Sequence, residues 1–296
     1  MNVMDISKKK FLTLEKYFVP NEVTNTEGQL FVVENHEKRT NKRYLLKKLY
    51  IDKGQYFGNK LMTINTLIDN SEEIGIPQLV LPEKIAIVDR QVVGFAMPLI
   101  ENSVNLSCLL GDFATPIAKK IDYLKQVGAI LKHVQRVEKF EGNFFLGDVH
   151  EGNFVVEQDI DKVHAIDLDS CKISDNTPFA SKYLATDTGI RSLPRKYPVN
   201  AAQMHIPNAN TEWLCYILMV LNFIAHGPVH KMLLDEYYLY LQYLRDLGFS
   251  NELLDCFNRI YVNCDNHSPE GLLDQIPQEI KLANYNVFKY KASKKK

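Results

Sequence analysis

A change of hydrophobic period about a third of the way along the chain does most to limit what it can fold into. In the first hundred residues the apolar side chains come in short runs between polar turns. Four segments there read as strands: Gln29 to Glu34, Arg43 to Leu49, Lys84 to Val88 and Val92 to Pro98. One helix interrupts them, near Lys60 to Asp69. After about residue 105 the period is helical. Thr115-Pro116 reads as an N-cap followed by a proline in the first helical position. Behind it Ile117, Ile121, Leu124, Gly128, Leu131 and Val134 recur at three- and four-residue spacing, which makes one apolar face. Further helical blocks run from about Glu212 to Ala225 and from about Leu233 to Leu247. Between the first two helices lies a short hairpin, Phe154 to Glu157 and Val163 to Asp167. No repeat and no Pro/Gly/Ser-rich linker divides the chain, yet 296 residues exceed what one hydrophobic core usually organises. An α+β chain with two packed parts is expected, residues 1–100 rich in strands and residues 101–296 mainly helical.

Composition removes some classes of function. Hydrophobic residues are 46% and charged residues 24%, with a formal net charge of −1, so a basic nucleic-acid-binding face is not expected. The lysine runs Lys8 to Lys10 and Lys294 to Lys296 read as solvated, frayed termini. The longest apolar run, Leu214 to Leu221, is too short to span a bilayer and reads as a helix buried on all sides. Five cysteines, with no CxxC pair and no apolar leader at the start, point to reduced thiols in a cytoplasmic protein with no membrane partner.

The chemistry is concentrated in Gly147-Asp148-Val149-His150-Glu151-Gly152-Asn153-Phe154 and in the end of the hairpin, Ile166-Asp167-Leu168-Asp169. Phosphoryl transfer from a nucleotide needs a carboxylate to orient the acceptor hydroxyl and take its proton. It also needs oxygen ligands for magnesium, for which a carboxylate and an amide oxygen are suited. An Asp and an Asn five residues apart on a loop can face one cleft, and the hairpin can return a second Asp to it. A solvated polar turn capped by its own side chains is the plainer reading, but the hairpin and the apolar helix before the loop favour the site. Asp148-Val149-His150 also fits the first metal-binding element of dinuclear metallophosphatases. The further GDxxD and GNH[DE] ligand motifs of that family do not follow, so that reading is rejected.

In these residues the chain resembles the protein-kinase superfamily. The resemblance implies a two-lobed protein-kinase-like fold, with a small antiparallel-sheet N-lobe and a mainly helical C-lobe. It makes Asp148 the catalytic base, Asn153 and Asp167 the magnesium ligands, and ATP and Mg2+ the cofactors. Leu168 and Asp169 stand where that family has Phe and Gly. Gly147 and His150 give the loop the form typical of aminoglycoside and other small-molecule phosphotransferases, with His150 near the transferred phosphate. The Ile-Asp-x-Asp-Ser ending is more similar to atypical bacterial serine/threonine-kinase-like proteins.

The same resemblance extends to the first hundred residues. Tyr44 to Leu49 is similar to the third strand of a kinase small lobe, with Lys47 on the cleft side and Lys48 pointing away. Met97 takes the gatekeeper place, with the carbonyl of Pro98 and the N–H of Ile100 holding adenine. Trp213 and the apolar run after it resemble the central helix of the large lobe. Thr211 replaces the family's anchoring Asp, and Glu212 or Asn210 is expected to tie down the catalytic loop. Residues from Asp169 to Asn210 would form the activation segment, with Lys182, Arg191, Arg195 and Lys196 as possible contacts. Gly28 precedes Lys47 without a GxGxxG, and the helix near 60–69 offers Asn65, Thr66 and Asp69 but no Glu for Lys47; Glu72 and Glu73 come late. Three functions follow: a kinase acting on Ser/Thr of a protein, a phosphotransferase acting on a small-molecule hydroxyl, and a nucleotide-binding pseudokinase serving as a regulatory module.

Overall fold

The computed structural model of the chain describes residues 2–17, 28–34, 43–49, 57–176 and 206–294. Within them the fold is α+β. The first part comprises β1 (Val3–Ile6), α1 (Lys8–Leu12), β2 (Glu15–Lys16), β3 (Gly28–Glu34), β4 (Arg43–Leu49), α2 (Phe57–Asp69), α3 (Ser71–Ile74), β5 (Lys84–Val88) and β6 (Gln91–Pro98). Among the described residues these six strands make one sheet, in the order β1-β5-β6-β4-β3-β2. The expected strands pair antiparallel. The sheet as a whole is nevertheless mixed, because β1 lies parallel to β5 with Val3 opposite Ile85. The chain leaves β1 at one edge, crosses a face as α1 and enters β2 at the other edge. The lysines Lys8 to Lys10 therefore belong to a helix capped by Ser7, not to a frayed end.

The period of two along β4 sends its side chains to two separate cores. Tyr44 and Leu46 join Ile6, Phe31, Val33, Ala86 and Val88 on the face that Phe11 of α1 covers. Leu49 joins Ile85, Phe95 and Met97 on the other face, against Ile64 and Ile68 of α2. Lys47 and Lys48 fall on opposite faces, as expected. The Lys48 ammonium lies 5.9 Å from the Phe11 ring centre, and Lys47 points to the α2 side.

The second part runs through β7 (Ser103–Asn105), α4 (Leu106–Gly111), α5 (Ile117–Val134), β8 (Phe144–Phe145), β9 (Phe154–Glu157), β10 (Lys162–Ala165) and β11 (Lys172–Ile173). It ends with α6 (Ala209–Ala225), α7 (Leu234–Asp246), α8 (Asn251–Asn263) and α9 (Tyr285–Lys294). The start of α5 differs from expectation. Pro116 is itself the N-cap residue, and Thr115 gives its hydroxyl to Asp112 at 2.6 Å. Asp112 also takes the Ala114 N–H at 3.0 Å, so the turn before the helix is held by the aspartate.

α6 is buried from Thr211 to Leu221 and again from Phe223 to Ala225, as its unbroken apolar run foretells. It packs in one large core with α5, α7 and α8. The Tyr216 hydroxyl donates to the Leu124 carbonyl at 2.8 Å, which ties α6 to α5. The hairpin β9–β10 pairs Phe154 with Ala165, so its second strand ends before Asp167. No helix of the described residues is long and apolar enough to cross a membrane. All five cysteines are free thiols, and every one but Cys108 is buried.

Candidate active site

The loop from Gly147 to Asn153 follows β8 and is held from several directions. Its first residue has φ +81°, and a Cβ there would lie 2.5 Å from the Ser170 carbonyl oxygen, so only glycine fits without a shift. The Gly147 N–H donates to Glu212 Oε1 at 3.0 Å, and Gln135 Nε2 reaches Glu212 Oε2 at 3.3 Å. Glu212 is thus the residue of α6 that ties down the loop. Thr211 pairs with Asn208 in the helix-capping box. Burial pushes the Glu212 carboxyl up to about 7, against the opposing effect of the Gly147 and Gln135 hydrogen bonds. At the other end of the loop, Asn105 Nδ2 donates to the Gly152 carbonyl at 2.8 Å.

Within the loop, Asn153 Nδ2 donates to the Asp148 carbonyl at 2.8 Å and approaches Asp148 Oδ2 at 3.3 Å. That leaves the amide oxygen of Asn153 as the atom available to a cation. His150 Nδ1 accepts from the Gly152 N–H at 3.0 Å, which places the ring proton on Nε2, 3.4 Å from Asp148 Oδ2. The ring folds so closely over Gly152 that a Cβ there would lie 2.8 Å from His150 Cε1.

The hairpin brings Asp167 to this loop. The Ile166 N–H donates to the Asn153 carbonyl at 2.9 Å, and the backbone of Ala165 is clamped by Gln78 and Val80 at 2.8 and 2.9 Å. Asp167 itself has a left-handed backbone, φ 64° and ψ 41°, which turns the chain out of β10. Its side chain is 36% exposed and bonds the Lys47 ammonium directly. Lys47 also reaches Asp169 Oδ1 at 2.7 Å, and Lys60 of α2 reaches Asp169 Oδ2 at 2.8 Å. The Asp169 side chain is fully enclosed.

Charge is distributed unevenly over this cluster. Burial and the neighbouring Asp169 charge raise Asp167 above the usual carboxylate range, to about 6, although Lys47 opposes them. Burial also opposes the charge of Asp169, but the ammonium groups of Lys47 and Lys60 override it and hold that carboxyl well below its ordinary value. Burial likewise works against Lys47, and the two carboxylates reverse the effect and hold it above the lysine range.

Of the residues expected in the site, Asn153 and His150 meet Asp148, Lys47 meets Asp167, and the Ile166–Asn153 backbone bond joins the two groups. Lys60 was not among the expected residues, and Asp169 was expected at a glycine position and in the Ile-Asp-x-Asp-Ser ending, without a role toward Lys47. The Asp-x-Asp doublet and a lysine on the inner face of α2 were the available signals. Glu72 and Glu73 are not partners of Lys47: both lie in α3, and Glu73 pairs with Lys139 at 3.9 Å. Met97 is buried against α2. Pro98 ends β6 opposite Tyr44, and the Ile100 carbonyl is taken by the Ser103 hydroxyl at 2.9 Å. Lys182, Arg191, Arg195 and Lys196 lie outside the described residues.

Among the described residues no group of three or more His, Cys, Asp and Glu side chains forms a metal cluster. One carboxylate from Asp167 and one amide oxygen from Asn153 suit a magnesium ion that keeps water and phosphate oxygens as its other ligands. An ammonium group already bonded to Asp167 shows that this carboxylate accepts a cation. Compared with known proteins, the chain matches no family model and no curated sequence.

Proposed function

We propose that the chain is an ATP- and Mg2+-dependent phosphotransferase of two-lobed, protein-kinase-like architecture, acting on a serine or threonine hydroxyl of a protein. The observation that carries this reading is the linkage of four side chains from three distant segments. Asn153 bonds Asp148, its backbone bonds Ile166 next to Asp167, and Asp167 bonds Lys47. A solvated turn has no need of that convergence.

In this reading Asp148 orients the acceptor hydroxyl and takes its proton as the new P–O bond forms. His150, through Nε2, restrains the Asp148 carboxylate. Lys47 neutralises phosphate charge, and Asn153 with Asp167 would hold Mg2+. When bound, that ion neutralises charge on the transferring phosphoryl group. Residues 1–100 would supply the nucleotide-binding part and residues 101–296 the catalytic part, in a cytoplasmic setting. The pairing of Lys47 with Asp169 supports an active site over a pseudokinase, since the lysine has a fixed carboxylate partner after all. A small-molecule hydroxyl is the second reading, favoured by the His150 ring folded between Asp148 and Gly152.

Labelled ATP offered with protein and metabolite acceptors tests the proposal and separates the two substrate classes. Asp148→Ala should reduce transfer by about 10²- to 10⁴-fold while leaving nucleotide binding in place. Undiminished transfer by that variant would remove Asp148 from the role of base.

A further inference from the structure

The buried bridge Lys47–Asp169–Lys60 has no use in the scheme above beyond giving Lys47 a carboxylate. Each oxygen of Asp169 takes one ammonium, at 2.7 Å from β4 and at 2.8 Å from α2. Both lysine side chains are less than a tenth exposed. Enclosing charges in this way costs about as much in lost hydration as their attraction returns, so stability alone does not account for the bridge. Its geometry does more. The face of α2 that carries Lys60 grips the same segment further along. The Thr63 hydroxyl meets the Cys171 carbonyl at 3.3 Å, and Asn176 Nδ2 reaches the Asn59 carbonyl at 2.9 Å and Thr63 Oγ1 at 2.7 Å. Helix α2 and residues 169–176 are therefore joined as one unit, and Asp169 is the point at which that unit touches Lys47.

We infer that Asp169 is the positioning residue for Lys47 and that Lys60 is the counter-ion that fixes Asp169. The helix contributes a cation to the site where a carboxylate was expected, and the carboxylate comes from the segment after Asp167. A lysine ammonium has three donors. Lys47 uses two of them, on Asp167 and Asp169. With a divalent cation on Asp167, the bond to Asp169 would stay and the released donor would be free for phosphate. What Lys47 is positioned for rests on the phosphotransferase reading; that Asp169 holds both lysines does not.

The test is a double-mutant cycle on Mg2+–ADP affinity, measured by calorimetry on the full chain. Lys60→Met and Asp169→Asn should each weaken binding about tenfold or more, the scale of a lost hydrogen bond to a charged group. The double variant should be no weaker than the worse single, because both changes cut one linkage. Lys60→Arg keeps the cation and should recover most of the affinity. Wild-type affinity in Asp169→Asn, or losses that multiply in the double variant, would overturn the inference; a merely structural role would lower melting temperatures without this coupling. If the single variants do not fold, the double variant, which removes opposite charges together, decides by itself, and wild-type affinity there refutes the proposal. Lysine acylation footprinting of the nucleotide-free protein separates the two readings. Asp169→Asn should deprotect Lys47 and Lys60 together, and unchanged protection overturns the inference even if nucleotide binds. Absence of Mg2+–ADP binding by the wild type together with joint deprotection would instead sink the phosphotransferase reading alone.

Discussion

Glu212, a residue only 2% exposed, joins α6 to the loop from Gly147 to Asn153. Its oxygens accept from Gly147 and Gln135, and burial raises it from 4.5 to about 7. The folded chain therefore binds a proton that the unfolded chain releases above pH 4.5. Glu212 contributes most to stability below pH 4.5, and that contribution is lost as pH rises through about 7. At about 1.4 kcal/mol for each tenfold change in proton affinity, the loss amounts to about 3 kcal/mol. Glu212→Gln keeps an acceptor for the Gly147 N–H and has nothing to titrate. Urea unfolding of both proteins between pH 4.5 and 8.5 isolates the effect, because the other titrating groups cancel in the difference. The wild type should lose about 3 kcal/mol relative to Glu212→Gln across that range. A difference that stays level, or that moves in favour of the wild type as pH rises, would refute the assignment of a buried, proton-binding Glu212.

Two further changes probe the loop and the core behind it. Gly152→Ala places a Cβ 2.8 Å from His150 Cε1 and should swing the imidazole off Asp148, lowering kcat by about 10²-fold; unchanged kcat would show that His150 has no part in holding Asp148. Tyr216→Phe removes the 2.8 Å bond to the Leu124 carbonyl and should cost about 1 kcal/mol, or roughly 2 °C in Tm, which a thermal melt detects with catalysis unaffected.

Elements that bury one patterned face were legible in the sequence. The period of two along Arg43 to Leu49 specified the strand β4 and put Lys47 and Lys48 on opposite faces; the choice of Lys47 came from the resemblance to a kinase small lobe. The uniform apolarity of Leu214 to Leu221 specified a helix with no solvent face. The loop around Asp148 was legible because an Asp and an Asn five residues apart, followed by a hairpin that ends in a second Asp, make a compact sequence pattern. What stayed hidden depends on contacts between distant segments. β1 is a strand because β5 lies beside it. Pro116 caps α5 because Asp112 holds the turn in front of it. Above all, Lys60 and Asp169 are 109 residues apart, and no local period marks them as partners. Helix α2 offers Lys47 no glutamate; it carries the cation Lys60, and the carboxylate between the two lysines is Asp169.

If Asp148, Asn153, Asp167 and Lys47 form a magnesium–nucleotide site, as proposed, Mg2+ and Asp167 act together on ATP affinity. Calorimetric titration of ATP into the wild type and into Asp167→Ala, each with and without Mg2+, tests it most directly. The wild type should bind ATP more tightly with Mg2+, and Asp167→Ala should lose that enhancement. A wild type that binds no ATP, or an Asp167→Ala variant with an unaltered response to Mg2+, would contradict it.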